Sequence, residues 1–220
     1  MLHRSHSFTL ASFLTLALVS SACQSSTEGK GAATGKNITR AADAIQTGIG
    51  QLDATMTALT TLVNQPAAEL GPQFDVFASN LDALDSTAKQ VSEATAGMQE
   101  KGKAYFADWD AQIAAIQDED IRERSAERRK TVEKELEEIR AEYEKARDTF
   151  HPLMGALQDI RKALEADLTM DGLDAVKKSV KKTNSNAADV KESLQELADS
   201  FRKVGVRMSM SGPAKAPEKK

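Results

Sequence analysis

The stretch 132–164, VEKELEEIRAEYEKARDTFHPLMGALQDIRKAL, decides the fold of this chain. Apolar side chains recur in it at alternating steps of three and four residues, with charged residues between them. The series consists of Val132, Leu136, Ile139, Tyr143, Ala146, Phe150, Leu153, Leu157, Ile160 and Leu164. This heptad repeat predicts one long helix with a single apolar seam that packs as helices do in a coiled coil.

The same spacing occurs in three other segments. The first runs from Ile38 to Val63 and is stopped by Pro66, since proline cannot continue a helix. The second runs from Phe74 to Ile116, and the last from Leu173 to Val204. Runs with the period of two that is typical of strands are missing from the sequence. The sequence therefore predicts an all-α fold with four helices.

The lengths of these segments predict the architecture. The second and third helices are each about 70 Å long, and the first and fourth are nearer 40–50 Å, at the rise of an α-helix. Short connections make neighbouring helices antiparallel. We therefore expect an elongated antiparallel four-helix bundle, in which the two long helices extend as a coiled-coil hairpin arm over about residues 98–142.

The N-terminus has the features of a secretory signal. Arg4 precedes the apolar run FTLASFLTLALV at 8–19, and the small residues 20–22 lead to Cys23, the one cysteine in the chain. This order resembles the bacterial lipoprotein signal, and it predicts a signal peptide over 1–22 and lipidation of Cys23. Ser20 stands where that pattern prefers Leu, Val or Ile. The alternative is cleavage after Ala22, which would leave a soluble periplasmic protein with a free thiol.

The rest of the chain divides by composition into three parts. Residues 23–36 comprise the lipidated cysteine and a Ser- and Gly-rich flexible tether, residues 37–206 form the helical domain, and residues 207–220 are a disordered, Lys- and Pro-rich tail. Gln24 follows the cysteine where aspartate would indicate inner-membrane retention. We therefore expect an outer-membrane anchor facing the periplasm. Lys220 supports a further hypothesis, a covalent link to peptidoglycan through the C-terminal lysine.

Composition argues against several classes of function. The net charge of −4 disfavours nucleic acid binding, which needs a clustered basic surface. Signal removal leaves His151 as the remaining histidine, too few for the Glu-x-x-His motifs of di-metal bundles. We expect no catalytic residues, no metal site and no cofactor, and hence a protein that is not an enzyme.

Tyr105, Phe106 and Trp109 are the candidate partner-contact residues. Trp and Tyr are common at recognition surfaces, and this trio contains the single tryptophan of the chain. The alternative is that Tyr105 and Trp109 occupy seam positions and fill the interior of the arm. Phe106 lies one step off the seam, so it is the better candidate for an outward role.

A family resemblance is carried by AYFADWDAQIAAIQDEDIRERSAERR at 104–129. The aromatic trio, Ile116 before an acidic turn, and then Arg122, Ser125 and Arg128 resemble bacterial domain-of-unknown-function family 2959. The resemblance spans about residues 37–206. It implies a secreted or lipid-anchored all-helical protein, and it brings no catalytic residues.

These observations favour a non-enzymatic cell-envelope lipoprotein that serves as a structural or protein-interaction module in the periplasm. Its expected partners are the membrane, through the N-terminal lipid, and an envelope protein. One alternative is a chaperone-like or lipid-binding helical protein, and another is a peptidoglycan-linked tether. Because heptad seams also pair between subunits, a homo-oligomer is a further expectation.

Overall fold

The computed structural model describes residues 27–209, which form four α-helices. Their bounds are Thr27–Asn64 for α1, Gly71–Ala115 for α2, Glu119–Ala166 for α3 and Met170–Ser209 for α4. The described residues contain no strand, and the predicted all-α fold is confirmed. The predicted signal peptide, Cys23 and Lys220 lie outside the described residues.

The four helices form an antiparallel bundle. Helix α1 packs on α2 and α4, and α3 packs on the same two helices from the opposite side. The connections 65–70, 116–118 and 167–169 are short, so consecutive helices run in opposite directions. None of the described helices is both long and apolar enough to cross a membrane.

Two apolar clusters make up the core. The first lies near the 65–70 and 167–169 connections and draws on all four helices, for example through Leu59, Phe77, Leu157 and Val180. The second lies nearer the 116–118 turn and contains Ile38, Tyr105, Ile139 and Phe201. The heptad residues of one helix are thus covered by those of the other three.

The helix ends follow from local hydrogen bonding. Asp118 precedes α3, and its side chain accepts a hydrogen bond from the Ile121 N–H at 3.0 Å, as expected of a capping residue. At the start of α4, the Thr169 hydroxyl accepts a hydrogen bond from the Gly172 N–H at 3.2 Å. A Cβ atom on Gly172 would collide with the Asp167 carbonyl, so glycine permits this tight connection.

Helix α1 begins earlier than the sequence predicts. Residues 27–36, which composition assigns to the flexible tether, form its first turns. At the end of this segment α1 lies very close to α4, since a Cβ atom on Gly205 would stand only 2.9 Å from the Gly35 carbonyl oxygen. Small residues here allow two helix backbones to approach closely, whereas the composition rule treats the same residues as signs of flexibility.

The arm is shorter than predicted, because α1 and α4 extend further than expected. Tyr105 and Val132 belong to the same core cluster as Ile38 and Met208. The bundle therefore has four helices at least as far along its axis as Tyr105 and Val132. Arg207 of α4 also forms an ion pair with Glu135 of α3. The name "arm" is therefore used below for residues 106–131.

Candidate functional site

Tyr105, Phe106 and Trp109 lie at the base of the arm, and their side chains are partly or fully buried. Tyr105 is 7% exposed, and its ring centroid is 5.5 Å from that of Phe106 and 5.4 Å from that of Trp109. The Trp109 Nε1–H donates a hydrogen bond across the hairpin to the Ser125 hydroxyl at 3.4 Å. Phe106 and Trp109 are half-buried. Tyr105 therefore fills the core, and partner contact stays a prediction for the other two.

Burial also affects the chemistry of Tyr105. Desolvation raises the pKa of its hydroxyl above the ordinary value of 10.0, and the nearby positive charge of Arg128 opposes part of that rise. The neutral phenol is thus the form that the folded core favours.

Arg129 joins α3 to α2 beside the trio. Its guanidinium carbon lies 4.9 Å from the centroid of the Phe106 ring. Its Nε is 2.7 Å from an Asp110 carboxylate oxygen, and Glu133 pairs with it from the next turn of α3. We call this group, Phe106, Asp110, Arg129 and Glu133, the arm latch.

A second latch joins the same two helices near their other ends. The Arg161 guanidinium of α3 lies 2.6 Å from Asp82 of α2 and 2.8 Å from Glu165 of its own helix. We call this group the distal latch. The arm latch and the distal latch thus join α2 to α3 at the two ends of a long intervening section.

Between the latches, α2 and α3 separate and leave a cleft. Its distal part has a volume of about 430 Å³ and lies between Leu84 and Val91 of α2 and Phe150 and Met154 of α3. Its arm-side part, of about 540 Å³, continues past Gly102 to the arm latch. Tyr143 lines both parts, so its side chain lies where the two parts meet.

The floor of the cleft belongs to the other pair of helices. Ile45 and Gly48 of α1 and Leu194 and Leu197 of α4 line the distal part, and Phe201 of α4 lines the arm-side part. The cleft therefore reaches the centre of the bundle. Its mostly apolar walls with few polar groups are typical of small-molecule sites.

Charged side chains stand at the mouth of the distal part. Lys89 is 2.6 Å from Asp85, and the hydrogen bond to that carboxylate raises the pKa of Lys89. Arg147 pairs with Asp148 at 2.9 Å, and His151 follows on the same helix. Lys89, Arg147 and His151 are all exposed.

Sequence reasoning missed this cleft, although a signal for it exists. The α2 seam is thin between Thr95 and Gly102, where ATAG at 94–97 supplies only small side chains. A weak stretch in one seam predicts loose packing somewhere along the helix. It does not say whether a neighbour moves in to fill the space. Among the described residues no group of His, Cys, Asp and Glu could hold a metal ion.

Comparison with known proteins identifies the family of this chain. The profile of the family described as "Protein of unknown function (DUF2959)" matches residues 29–205. The chain belongs to this family. The resemblance seen in the arm sequence is thereby confirmed, and the matched range of this DUF2959 protein includes the first turns of α1 that composition assigns to the tether. Comparison with curated proteins and with solved structures gives no match.

Proposed function

We propose that this DUF2959 protein is a non-enzymatic lipoprotein of the cell envelope that acts as a structural or interaction module. The observation that carries the proposal is the position of α1. Thr27, its first residue, lies just four positions after Cys23, so an acyl group on Cys23 would be held close to the bundle. Four residues of chain reach at most about 14 Å.

The direction of α1 gives the anchored rod an orientation. Ile38 packs at the level of Tyr105, and from there α1 runs away from the arm to Asn64. From Ile38 to its N-terminus at Thr27, α1 extends about 16 Å in the direction of the arm. This length is close to the ~15 Å that α2 extends from Tyr105 to its end at Ala115. The arm and the anchor thus belong at one end, next to the bilayer.

The opposite end would then face the periplasm. At 38 residues, α1 is about 57 Å long, so the 65–70 and 167–169 connections would stand that far from the lipid. Val76 and Met170 are 55% and 56% exposed near this end. An envelope partner at this distal end or beside Phe106 and Trp109 fits the proposal.

The anchor is tested by labelling cells with a radioactive fatty acid. Wild type should incorporate label and sediment with outer membranes, because Gln24 rather than aspartate follows the cysteine. The Cys23→Ser variant should incorporate none and become soluble. Equal solubility of the two forms, or label retained by the variant, would contradict the anchor.

The interaction role is tested by photo-crosslinking in cells from single positions. Probes at Trp109 and Met170 should each capture a defined envelope protein, whereas a probe at exposed Glu192 on the flank of α4 serves as the control. Capture of nothing but further copies of this chain from all three positions would contradict a separate protein partner.

Two hypotheses from the sequence extend this proposal. A peptidoglycan link would use Lys220, and a Lys220→Arg variant would then lose its muropeptide-bound form while keeping the lipid. A lipid-binding role is favoured by the cleft between α2 and α3.

A further inference from the structure

Helix α4 carries a basic patch near the distal end of the rod. The patch consists of Lys177, Lys178, Lys181 and Lys182, and all four side chains are exposed. Lys177 pairs with Asp174 of the same helix. The other three lysines form no ion pair with any described residue. A concentrated positive charge thus remains on a chain whose net charge is −4.

The neighbouring helices do not neutralise the patch. The Asn184 side-chain amide donates a hydrogen bond to the Thr60 hydroxyl at 3.2 Å, so this part of α1 lies beside the patch. Residues 54–68 contain no acidic or basic side chain. Asp53, just before them, is already paired with a lysine nearer the middle of α4. On α3, Asp159 pairs with a lysine of its own helix.

The spacing of the lysines is unfavourable for the helix itself. The patch contains two pairs of lysines that are four residues apart, and like charges at this spacing repel each other. Elsewhere the protein uses the same spacing for attraction, as between Lys89 and Asp85 and between Arg140 and Glu144. Folding does not need the block of positive charge, and local arrangements that oppose folding are typical of functional surfaces.

The composition of the patch argues against a folded protein as its partner. Protein interfaces are rich in aromatic residues, methionine and arginine at their centre, and they are poor in lysine. Residues 171–191 of α4 contain no aromatic residue, methionine or arginine. Lysine attracts anions as a point charge on a flexible stem, whereas arginine suits fixed bidentate contacts. The patch therefore suits a partner with many mobile anionic groups.

A lipid bilayer is a poorer match than a polymer. The distal end of the rod exposes the carboxylates of Glu69, Asp167 and Asp171. Lys178 and Lys182 lie about 10–16 Å further along α4 than Asp171. An anionic membrane that met the end of the rod would therefore meet negative charges first. A slender polymer strand, in contrast, reaches the side of α4 directly.

We propose that the basic patch binds peptidoglycan without a covalent bond, through the free carboxylates of its peptide stems. The proposal rests on the envelope location proposed above, and it names one partner for the end of the rod that faces the periplasm. It is separate from a covalent link at Lys220. Because the lysines are exposed, salt screens their attraction to the carboxylates.

The test uses the full chain with Cys23→Ser and measures its sedimentation with purified peptidoglycan at low ionic strength. Saturable binding is expected, and about 0.5 M salt should release the protein. A variant in which glutamine replaces the three unpaired lysines, Lys178→Gln, Lys181→Gln and Lys182→Gln, should bind about tenfold or more weakly. Binding that does not saturate, or that this variant retains in full, would contradict the patch.

The matched control changes three exposed lysines of α3, by Lys130→Gln, Lys134→Gln and Lys145→Gln. It has the same net charge as the patch variant and should bind as the parent chain does. Arginine at the three patch positions should also preserve binding, because the positive charge is kept. Both replacements favour the helix, and circular dichroism checks that each variant folds. Equal loss in the patch and control variants would show that net charge alone matters.

Chemical blocking of the polymer supplies a readout that leaves the protein unchanged. Peptidoglycan whose carboxylates have been converted to amides should bind the parent chain about tenfold or more weakly. Equal binding to the native and amidated polymers would overturn the proposal, as would tighter binding to phosphatidylglycerol vesicles. If Cys23 is never acylated but the lysines bind peptidoglycan as described, the anchor proposal fails and this surface stands.

Discussion

At the scale of single residues, glycine has two opposite roles in this bundle. Gly205 lies where α4 meets α1, and a Cβ atom there would stand 2.9 Å from the Gly35 carbonyl and 3.0 Å from the Thr39 nitrogen. Gly50 is exposed on α1 with nothing within 4 Å of the same hypothetical atom. The first glycine is required by packing, whereas the second only weakens its helix.

Alanine substitutions separate these two roles. Gly50→Ala should raise the free energy of unfolding by up to ~1 kcal/mol, because alanine favours the helix. Gly205→Ala should instead lower it by about 1–3 kcal/mol, because the backbones of α1 and α4 must move apart. Urea denaturation followed by circular dichroism measures both, and a similar gain at the two positions would contradict the close approach.

The burial of Tyr105 makes the free energy of unfolding depend on pH in the alkaline range. Its pKa is raised in the folded state, so the folded protein holds the phenolic proton more tightly than the unfolded chain does. The resulting stability is complete below the unfolded pKa of about 10 and is lost as the pH rises through the higher folded value. In a Tyr143→Phe variant, ultraviolet absorbance should report the ionisation of Tyr105 alone. We expect its midpoint to lie above the unfolded pKa. The further change Tyr105→Phe should abolish the signal and reduce the alkaline loss of stability.

At the scale of elements, the two latches add ion pairs between α2 and α3 to the apolar packing that these helices share in the core clusters. Arg129 reaches Asp110 at one end of the cleft and Arg161 reaches Asp82 at the other. Side chains between them line an apolar cleft in place of a close seam. Because the latches are far apart along the hairpin, each should act mainly on the segment nearest to it.

Hydrogen exchange tests this separation. Arg129→Met should speed amide exchange mainly in the arm, residues 106–131, since it removes the ion pairs and the contact with Phe106. Arg161→Met should leave arm exchange unchanged and affect the distal ends of α2 and α3. Arg124→Met, at an exposed arm position, is the matched control. Equal acceleration along the whole hairpin in both latch variants would contradict independent latches.

At the scale of the whole molecule, one chain covers its own seams. Residues from all four helices pack together in each core cluster, including the seam positions Leu52, Leu81, Leu157 and Val190. The pairing of seams between subunits is thus not needed to bury them. The longest helix has 48 residues, or about 72 Å at the rise of an α-helix.

A monomeric rod is the expected form in solution. Small-angle scattering of the Cys23→Ser chain should give a largest dimension of at least about 70 Å, and light scattering should give the monomer mass at all concentrations. A compact particle would contradict the extended bundle. A doubled mass would instead support the homo-oligomer expected from the heptads.

Much of the fold could be predicted, because it follows from the periodic spacing of apolar residues in each helix. The repeat in each helix marks which face is apolar, and Pro66, Gly71 and Asp118 mark where helices stop and start. The start of α1 could not be found in this way. The effect of Gly35 and Ala-rich neighbours depends on whether another helix, with Gly205, comes close to them.

The candidate site was predictable only in part. Tyr105, Phe106 and Trp109 were identified as a group, but the pairing of Arg129 with both Phe106 and Asp110 joins positions from separate helices. The thin α2 seam was visible, yet the part of the cleft beside it is lined by residues of three helices, α2, α3 and α4. A contact between distant segments leaves no periodic trace in either segment.

The sequence by itself determined that this chain is all-helical, that its helices carry one apolar face each, and that it belongs with the DUF2959 family. Tertiary structure alone decided how far α1 and α4 extend along the hairpin and where α2 and α3 separate. The physical reason is that amphipathic faces follow from local spacing. Backbone approach and empty space depend on the shapes of side chains brought together from four separate segments.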